Sequence, residues 1–282
     1  MSKFFLIISI AVVLIIALAL WQIPVVFSLE SSKLEVNFLD VGQGDSIFIK
    51  TPYGQNILID GGPDRTVLRR LSEVLPWYDR TIDLMILTHP HDDHVGGLVY
   101  VLERYKVKKV LYTGVLHSAP AFLNWLEQIL EKRIPLIIAD KPQKINFGDN
   151  CYFDIIYPKS SLFGKEVDNL NNSSIVGKLV YGKTSFLFSG DAEFEVEKKL
   201  LNDDLKSDVY KAGHHGSMTS SGQEFLNEIS PSIVVIQVGA NNKFGHPSKR
   251  ILKRFERFGA QVFRNDSDGT VRIFSDGNDI LK

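Results

Sequence analysis

The chain has 282 residues, enough for one large domain or two small ones, and its 44% hydrophobic and 11% aromatic content supports a packed core and excludes a disordered polymer. A formal net charge of −1 excludes a globally basic nucleic-acid coat, so a polyanion would have to be met by local patches. The lone cysteine, Cys151, excludes an internal disulfide; it lies in a strand-like run without a basic neighbour, as expected of a small core residue rather than a reactive thiol.

The N-terminus comes first in chain order. From Phe4 to Trp21 every residue is apolar except Ser9. As a helix this run spans roughly 27 Å, close to the hydrocarbon thickness of a bilayer. Lys3 and the amino terminus precede it, while Glu30 and Lys33 cancel after it, a bias that leaves the N-terminus in the cytoplasm and the bulk outside. Residues 1–27 are therefore expected to be a transmembrane anchor, 28–33 a linker and 34–282 the folded domain. The competing expectation is a cleaved secretory signal, since Ala17-Leu18-Ala19 offers a small-residue cleavage site. Both expectations put the domain outside the cytoplasm.

Beyond the linker, residues 34–40, 46–51 and 56–60 are apolar, β-branched runs separated by glycine and proline, which predicts an antiparallel meander. Helical spacing follows over 64–74 and 95–105, with the second helix starting directly after a histidine cluster. A strand at 109–112, a helix at 119–132 and strands at 136–139, 144–147 and 151–157 come next. The second half alternates in the same way, with strands at 174–181 and 184–188, a helix at 193–201, a strand at 208–211, a helix at 223–229, a strand at 233–238, a helix at 248–258 and closing strands at 261–264 and 271–274. Two mixed sheets with helices outside accommodate this order, an α/β four-layer αββα sandwich.

Chemistry concentrates after the apolar strand 84–88, where His89-Pro90-His91-Asp92-Asp93-His94 packs three imidazoles and two carboxylates into one turn. Imidazole nitrogen with carboxylate oxygen suits zinc, manganese and iron. His89 and His91, two apart, point the same way if strand geometry persists, while Asp93 and His94 turn back toward a second ion about 3.5–4 Å away. Asp191, after Ser189-Gly190, is placed to bridge both. The remaining histidine loops are Gly213-His214-His215-Gly216-Ser217 and Gly245-His246-Pro247. Each follows a strand and precedes a helix, where loops gather on one rim of a sheet. His117 has no metal spacing and is expected in a loop or on the surface.

Taken together, Asp40-Val41-Gly42-Gln43-Gly44-Asp45-Ser46, Leu58-Ile59-Asp60-Gly61-Gly62, the histidine cluster, Asn171-Asn172-Ser173-Ser174, Ser189-Gly190-Asp191 and His214-His215-Gly216-Ser217 resemble the metallo-β-lactamase-fold domain of ComEC-type competence proteins. The resemblance runs from Leu34 to the C-terminus, and the first and last of these motifs narrow it to that branch. A free-standing version with one membrane anchor is expected, in place of the polytopic channel of the DNA-uptake proteins. The resemblance implies the αββα fold, two divalent metal ions (zinc or manganese) and hydrolysis, with DNA phosphodiesters as the leading substrate. It further implies that His89 and His91 hold the first metal, Asp93 and His94 the second, and that Asp191 bridges, Asp93 serving catalysis as well. By topology His246 is the preferred final ligand, with His215 and its neighbour His214 as proton donor or phosphate contact; His215 as ligand is the alternative. Asp60 would orient a ligand or water from behind, with Asp40 and Asp45 shaping the rim. A further histidine expected before the bridging aspartate is absent, and Asn171 to Ser174 stand near its place, which would leave the first site more open.

For a nucleic-acid partner the sequence offers Lys249, Arg250 and Lys253 in a basic stretch after the His246 loop, with helix amides near Ser217 and Ser248 as oxygen contacts. Tyr53, Trp77 and Tyr78 are candidates for base stacking. A separate channel protein is a further expected partner. Two alternatives stand beside the nuclease: a phosphodiesterase on an envelope or small-molecule ester, and a non-catalytic, metal-containing DNA-binding module.

Overall fold

The computed structural model describes residues 33–281. No helix among them is long and apolar enough to cross a membrane, and the expected anchor at 1–27 lies outside the described residues. β1 (Leu34–Phe38), β2 (Ile47–Lys50) and β3 (Asn56–Ile59) form the antiparallel meander. The chain then rises through α1 (Thr66–Val74) and returns via β4 (Thr81–Ile82) to β5 (Leu84–Ile86), which pairs in parallel with β3. Next come α2 (Asp92–Arg104), β6 (Lys106–Val107), which pairs only with β4, β7 (Val110–Tyr112), α3 (Pro120–Glu131) and β8 (Leu136–Ile138).

The second sheet repeats that logic. β9 (Gln143–Gly148), β10 (Cys151–Tyr157), β11 (Val176–Tyr181) and β12 (Thr184–Phe188) run antiparallel. α4 (Phe194–Leu200), β13 (Val209–Lys211), α5 (Gln223–Ile229), β14 (Ile233–Ile236), α6 (Lys249–Phe258) and β15 (Gln261–Arg264) extend it in parallel. After the short α7 (Asn265–Asp268), β16 (Val271–Ser275) crosses back to pair with β1, and β17 (Ile280–Leu281) closes the edge. The result is an eight-stranded sheet against a seven-stranded one.

Period-two alternation builds the layers. Ile47 and Ile49 of β2, Ile57 and Ile59 of β3, and Phe186 and Phe188 of β12 point into the slab between the sheets. Phe48, Leu58 and Met85 turn outward onto α1–α3 with Leu98 and Trp125, and Leu187, Val234 and Ile236 turn outward onto α4–α6 with Phe225 and Phe255. Each such side chain contributes roughly 1.5–3 kcal/mol when fully buried. The expected αββα sandwich is thereby present. Cys151 is buried between the sheets, and burial pushes its thiol up to about 12.

Local differences from the expected elements have physical causes. α2 starts at Asp92, inside the histidine cluster rather than after it: His91 is the N-cap, and Asp92 and Asp93 in the first turn complement the positive end of the helix. Gly97 then lets α2 approach the turn after β3, since a Cβ there would lie 1.9 Å from the Gly61 carbonyl oxygen. β4, β6, α7 and β17 are too short for periodicity to reveal.

Strand direction fixes the site's position. β1, β3 and β5 all point one way, so the loops after them gather at one end of the first sheet, facing the loops after β12 and β13 of the second.

Candidate metal centre

One carboxylate oxygen organises this end of the molecule. Asp191 Oδ2 lies 3.3 Å from His94 Nε2, 3.3 Å from His215 Nε2, 3.9 Å from His214 Nε2 and 4.0 Å from His89 Nε2. Four imidazoles from two sheets therefore face a single oxygen. Ligand atoms fall into overlapping groups within 4.8 Å of one another: His89, His94 and Asp191; Asp93, His94 and His215; Asp45, Asp191 and His215; and Asp45, Asp60 and His94. His91 stands beside the first group, its Nδ1 3.0 Å from His89 Nε2.

The backbone is bent to make this arrangement. Asp60, His214 and His215 all adopt left-handed φ values of 57°, 47° and 53°, costly for non-glycine residues and held by their surroundings. Asp60 Oδ1 accepts from the Thr88 amide (2.8 Å) and Oδ2 from the Thr88 hydroxyl (2.7 Å), while Oδ2 also lies 2.8 Å from His94 Nδ1. Asp60 thus turns His94 so that Nε2 faces inward, as carboxylates behind metal-bound histidines do. Ser174 does comparable work: its hydroxyl accepts from the Asp191 amide (3.1 Å) and lies 3.3 Å from His89 Nδ1. His215 Nδ1 is 2.9 Å from the Gln237 carbonyl, leaving Nε2 for the centre.

Electrostatics fit a divalent ion. His94 Nε2 and His215 Nε2 are buried and make no well-formed hydrogen bond among the described residues, although a carboxylate oxygen is near both. Ring nitrogens directed at a shared space rather than at each other are the donor set a cation needs. Burial would lower the pKa of His94, but Asp191, Asp60 and Asp93 outweigh it and hold it well above the usual histidine range. His215 behaves alike: burial lowers, Asp191 and Asp45 raise, and the net is well above. His89, by contrast, is held well below by burial and by the neighbouring His94. Burial works against the charged forms of Asp191 and Asp93, yet His215 and His94 bring both below the ordinary carboxylate range. Binding of a divalent ion would displace the two imidazole protons, so affinity is coupled to pH.

Lys211, unremarked in the sequence, is the cation already present. Its side chain is 1% exposed; Nζ contacts Asp45 Oδ2, donates to the Gly190 carbonyl at 2.9 Å and lies 3.6 Å from Asp191 Oδ1. Asp45 therefore belongs to the centre, tying the first sheet's loop to the second sheet. The only sequence signal was a lysine at the end of an otherwise apolar strand.

Other expected residues stand elsewhere. His246 enters none of the ligand groups; its loop is folded on Asn242, which accepts from the His246 amide at 3.0 Å, and its ring neighbours are His214 and Phe244, at centroid distances of 5.7 and 6.0 Å. His215, not His246, is the imidazole brought in beside Asp93. His214 lies at the edge, with Nδ1 3.2 Å from the Thr219 hydroxyl and 3.4 Å from Glu193 Oε1. Asn171 donates to Glu193 Oε1 at 3.1 Å, the same oxygen that lies 3.4 Å from His214 Nδ1. Asp40 is taken up by Arg70 at 2.6 Å. Ser217 is buried, 3.1 Å from the Thr219 hydroxyl, and the Ser248 hydroxyl accepts from the Arg250 amide at 3.2 Å, so that helix end is capped by its own side chain. Arg250 lines a groove with Met218, Thr219 and Glu193, while Lys249 and Lys253 are exposed on α6. His117 sits on the rim, 6.5 Å from the His91 ring. Trp77 and Tyr78, in the loop that enters the first sheet from below, lie at the opposite end and cannot stack on a base at this centre.

With this geometry in view, the family model for the metallo-beta-lactamase superfamily matches residues 39–239. The chain belongs to that superfamily. "ComE operon protein 3" of Bacillus subtilis (strain 168) is 30% identical over 266 residues, covering 86% of this chain and 33% of the relative. "Competence protein ComA" of Neisseria gonorrhoeae is 28% identical over 249 residues, covering 86% and 32%. The chain thus spans about a third of the length of these ComEC-type relatives. The metallo-beta-lactamase fold protein YhfI from Bacillus subtilis superposes with a TM-score of 0.56 at 12% identity, covering 86% of this chain and 99% of that one, a likeness of fold. This superfamily member is accordingly a relative of competence proteins with His/Asp clusters suited to divalent metal.

Proposed function

We propose that the protein is a dinuclear metal-dependent phosphodiesterase acting on DNA. The observation that carries it is the set of imidazoles facing Asp191 Oδ2, with His215 Nε2 also 3.3 Å from Asp93 Oδ2 and His91 Nδ1 3.0 Å from His89 Nε2. In this reading His89, His91 and Asp191 hold one ion, and Asp93, His94, His215 and Asp191 hold the second. A bound pair of divalent ions supplies a water of lowered pKa and charge neutralisation for a phosphoryl oxygen. The chain's own residues do the rest. Asp60 and Ser174 keep His94 and His89 in orientation, and Lys211 offsets the excess of carboxylate charge. His214, at the exposed edge and steadied by Glu193 and Thr219, is positioned to hand a proton to the leaving alkoxide. Arg250, in the adjoining groove, meets a flanking phosphate. The kinship with competence proteins supports DNA as the polymer, and the apolar run at Phe4 to Trp21 supports an anchored domain outside the cytoplasm, near a channel partner.

The purified protein, loaded with manganese or zinc, is expected to cleave single- or double-stranded DNA, and D191N to remove that activity together with bound metal. Hydrolysis of bis-p-nitrophenyl phosphate with DNA left intact would reassign the substrate to a small ester. Tight DNA binding without turnover under any divalent ion would replace the enzyme with a binding module.

A further inference from the structure

Resting on the anchored reading proposed above, we infer that the end of the domain opposite the metal centre is a membrane-docking face, seated on the anionic headgroups of the bilayer in which that reading sets residues 4–21. Strand direction supplies the geometry. β1, β5, β7 and β8 all begin at that end, so the chain enters the fold there at Leu34, and the apolar run precedes it by little more than the linker.

Farther along the same end, beside β5, β7 and β8, the surface has the composition of a bilayer interface. Trp77 is 86% exposed and Tyr78 62%, packed edge to face at 5.8 Å, and Leu130 is 74% exposed at the end of α3. These large apolar groups have no structural use where they stand. Aromatic rings with one polar edge favour the headgroup level of a membrane.

Basic residues are stitched between them by backbone hydrogen bonds. The Lys106 amide donates to the Arg80 carbonyl at 2.8 Å, the Lys109 carbonyl accepts from Met85, and the Pro135 carbonyl accepts from Val110, so the exposed Arg80, Lys106 and Lys109, and Arg133 two residues before Pro135, lie on neighbouring chain segments at this end. None of the four makes an ion pair among the described residues. Of the nearby acids, Asp79 accepts from Asn56 Nδ2 at 2.8 Å, and Asp83 accepts from the Asn56 amide at 2.8 Å and is neutralised by Lys108 at 2.6 Å. Glu103 and Glu131 at the helix ends are outnumbered. Unpaired cations beside exposed aromatics are complementary to anionic lipid, each adding attraction within a Debye length of the surface. Docked this way, the domain turns its metal centre away from the bilayer, toward a polymer arriving from outside.

The test uses the full chain with Trp21→Phe, which leaves Trp77 and the fully buried Trp125 as the only indoles. It is reconstituted into phosphatidylglycerol-containing vesicles carrying brominated acyl chains. The expected result is about a twofold loss of Trp77 emission, as for an indole roughly 5–10 Å into the headgroup boundary. The same protein with Trp77→Phe added should show no quenching, and R80E/K109E should reduce it. A chain that floats with the vesicles yet shows unquenched Trp77 emission overturns the docking face and leaves the anchor intact. A chain that does not float removes both. Disulfide dimers of Trp77→Cys in place of quenching would give the face to a second copy and overturn the proposal. DNA hydrolysis by W77F, measured alongside, is expected to equal wild type, so failure of the docking face and failure of the hydrolase reading are separable.

Discussion

The first sheet delivers His89, His91, Asp93 and His94 from one short turn, whereas the second delivers Asp191, Lys211 and His215 one at a time from the ends of β12 and β13. The difference is one of dependence. The first group is held by local bonds, the N-cap of α2 and the Asp60–Thr88–His94 chain, and so survives as a unit. The second has its geometry only while parallel strands stay in register and the sandwich stays closed. Substitutions in the second group should accordingly separate metal binding, stability and peripheral roles more cleanly.

The largest effect is expected from D191N, which alters the oxygen faced by four imidazoles. Metal content by elemental analysis should collapse and hydrolysis should fall on the order of 10³-fold. If D191N retains a full metal complement, the two halves are not joined through this carboxylate. Lys211→Met comes next, since it removes the buried cation in contact with Asp45 and leaves that carboxylate with only His215, 3.2 Å away, and the more distant His94 to offset it. Breaking such a pair costs about 3–5 kcal/mol, measurable by urea unfolding of the metal-free protein, and D45N/K211M should recover much of it. Recovery sharpens the comparison by showing that the pair joins the halves before any ion does.

His215→Ala against His246→Ala is a smaller contrast. The first should weaken metal affinity by about 100-fold in a calorimetric titration and the second by less than about tenfold. The reverse order would return His246 to the ligand shell. Smallest is the pH effect of Glu197, which accepts from the Gly222 amide at 2.8 Å behind the His214–His215 loop and whose carboxyl burial pushes up to about 7. Because its folded pKa lies above the ordinary 4.5, its contribution is fully present below about pH 4.5 and is lost as pH rises through about 7. Unfolding at pH 5 and pH 8 should differ by about 1–3 kcal/mol more in wild type than in E197Q.

Most strands and helices could be read from the chain because period-two and helical alternation is a local property, as in β2, where Ile47 and Ile49 face one layer and Phe48 the other. The pieces that escaped, β4, β6, the 3₁₀ turn at Leu170–Ser173 and the left-handed turn at Gly213–Gly216, are too short to carry a period and exist because the surrounding loops are packed. Within the centre, Asp60 lies behind His94 and Ser174 beside His89, two residues inside motifs that carry the resemblance. Lys211 and Glu193 did not announce themselves, since a lone charged residue in a strand or helix is ordinarily on the surface.

The sequence by itself determined the layer pattern, the supply of imidazole and carboxylate donors and their location in loops after strands, since each follows from residue chemistry and spacing within a few positions. Tertiary structure alone decided that His215 rather than His246 stands beside Asp93, that Lys211 is enclosed with Asp45, and that Trp77 and Tyr78 lie at the far end from Asp191. Those outcomes depend on how strands distant in the chain align across two sheets, and through-space convergence of that kind leaves no trace in local spacing.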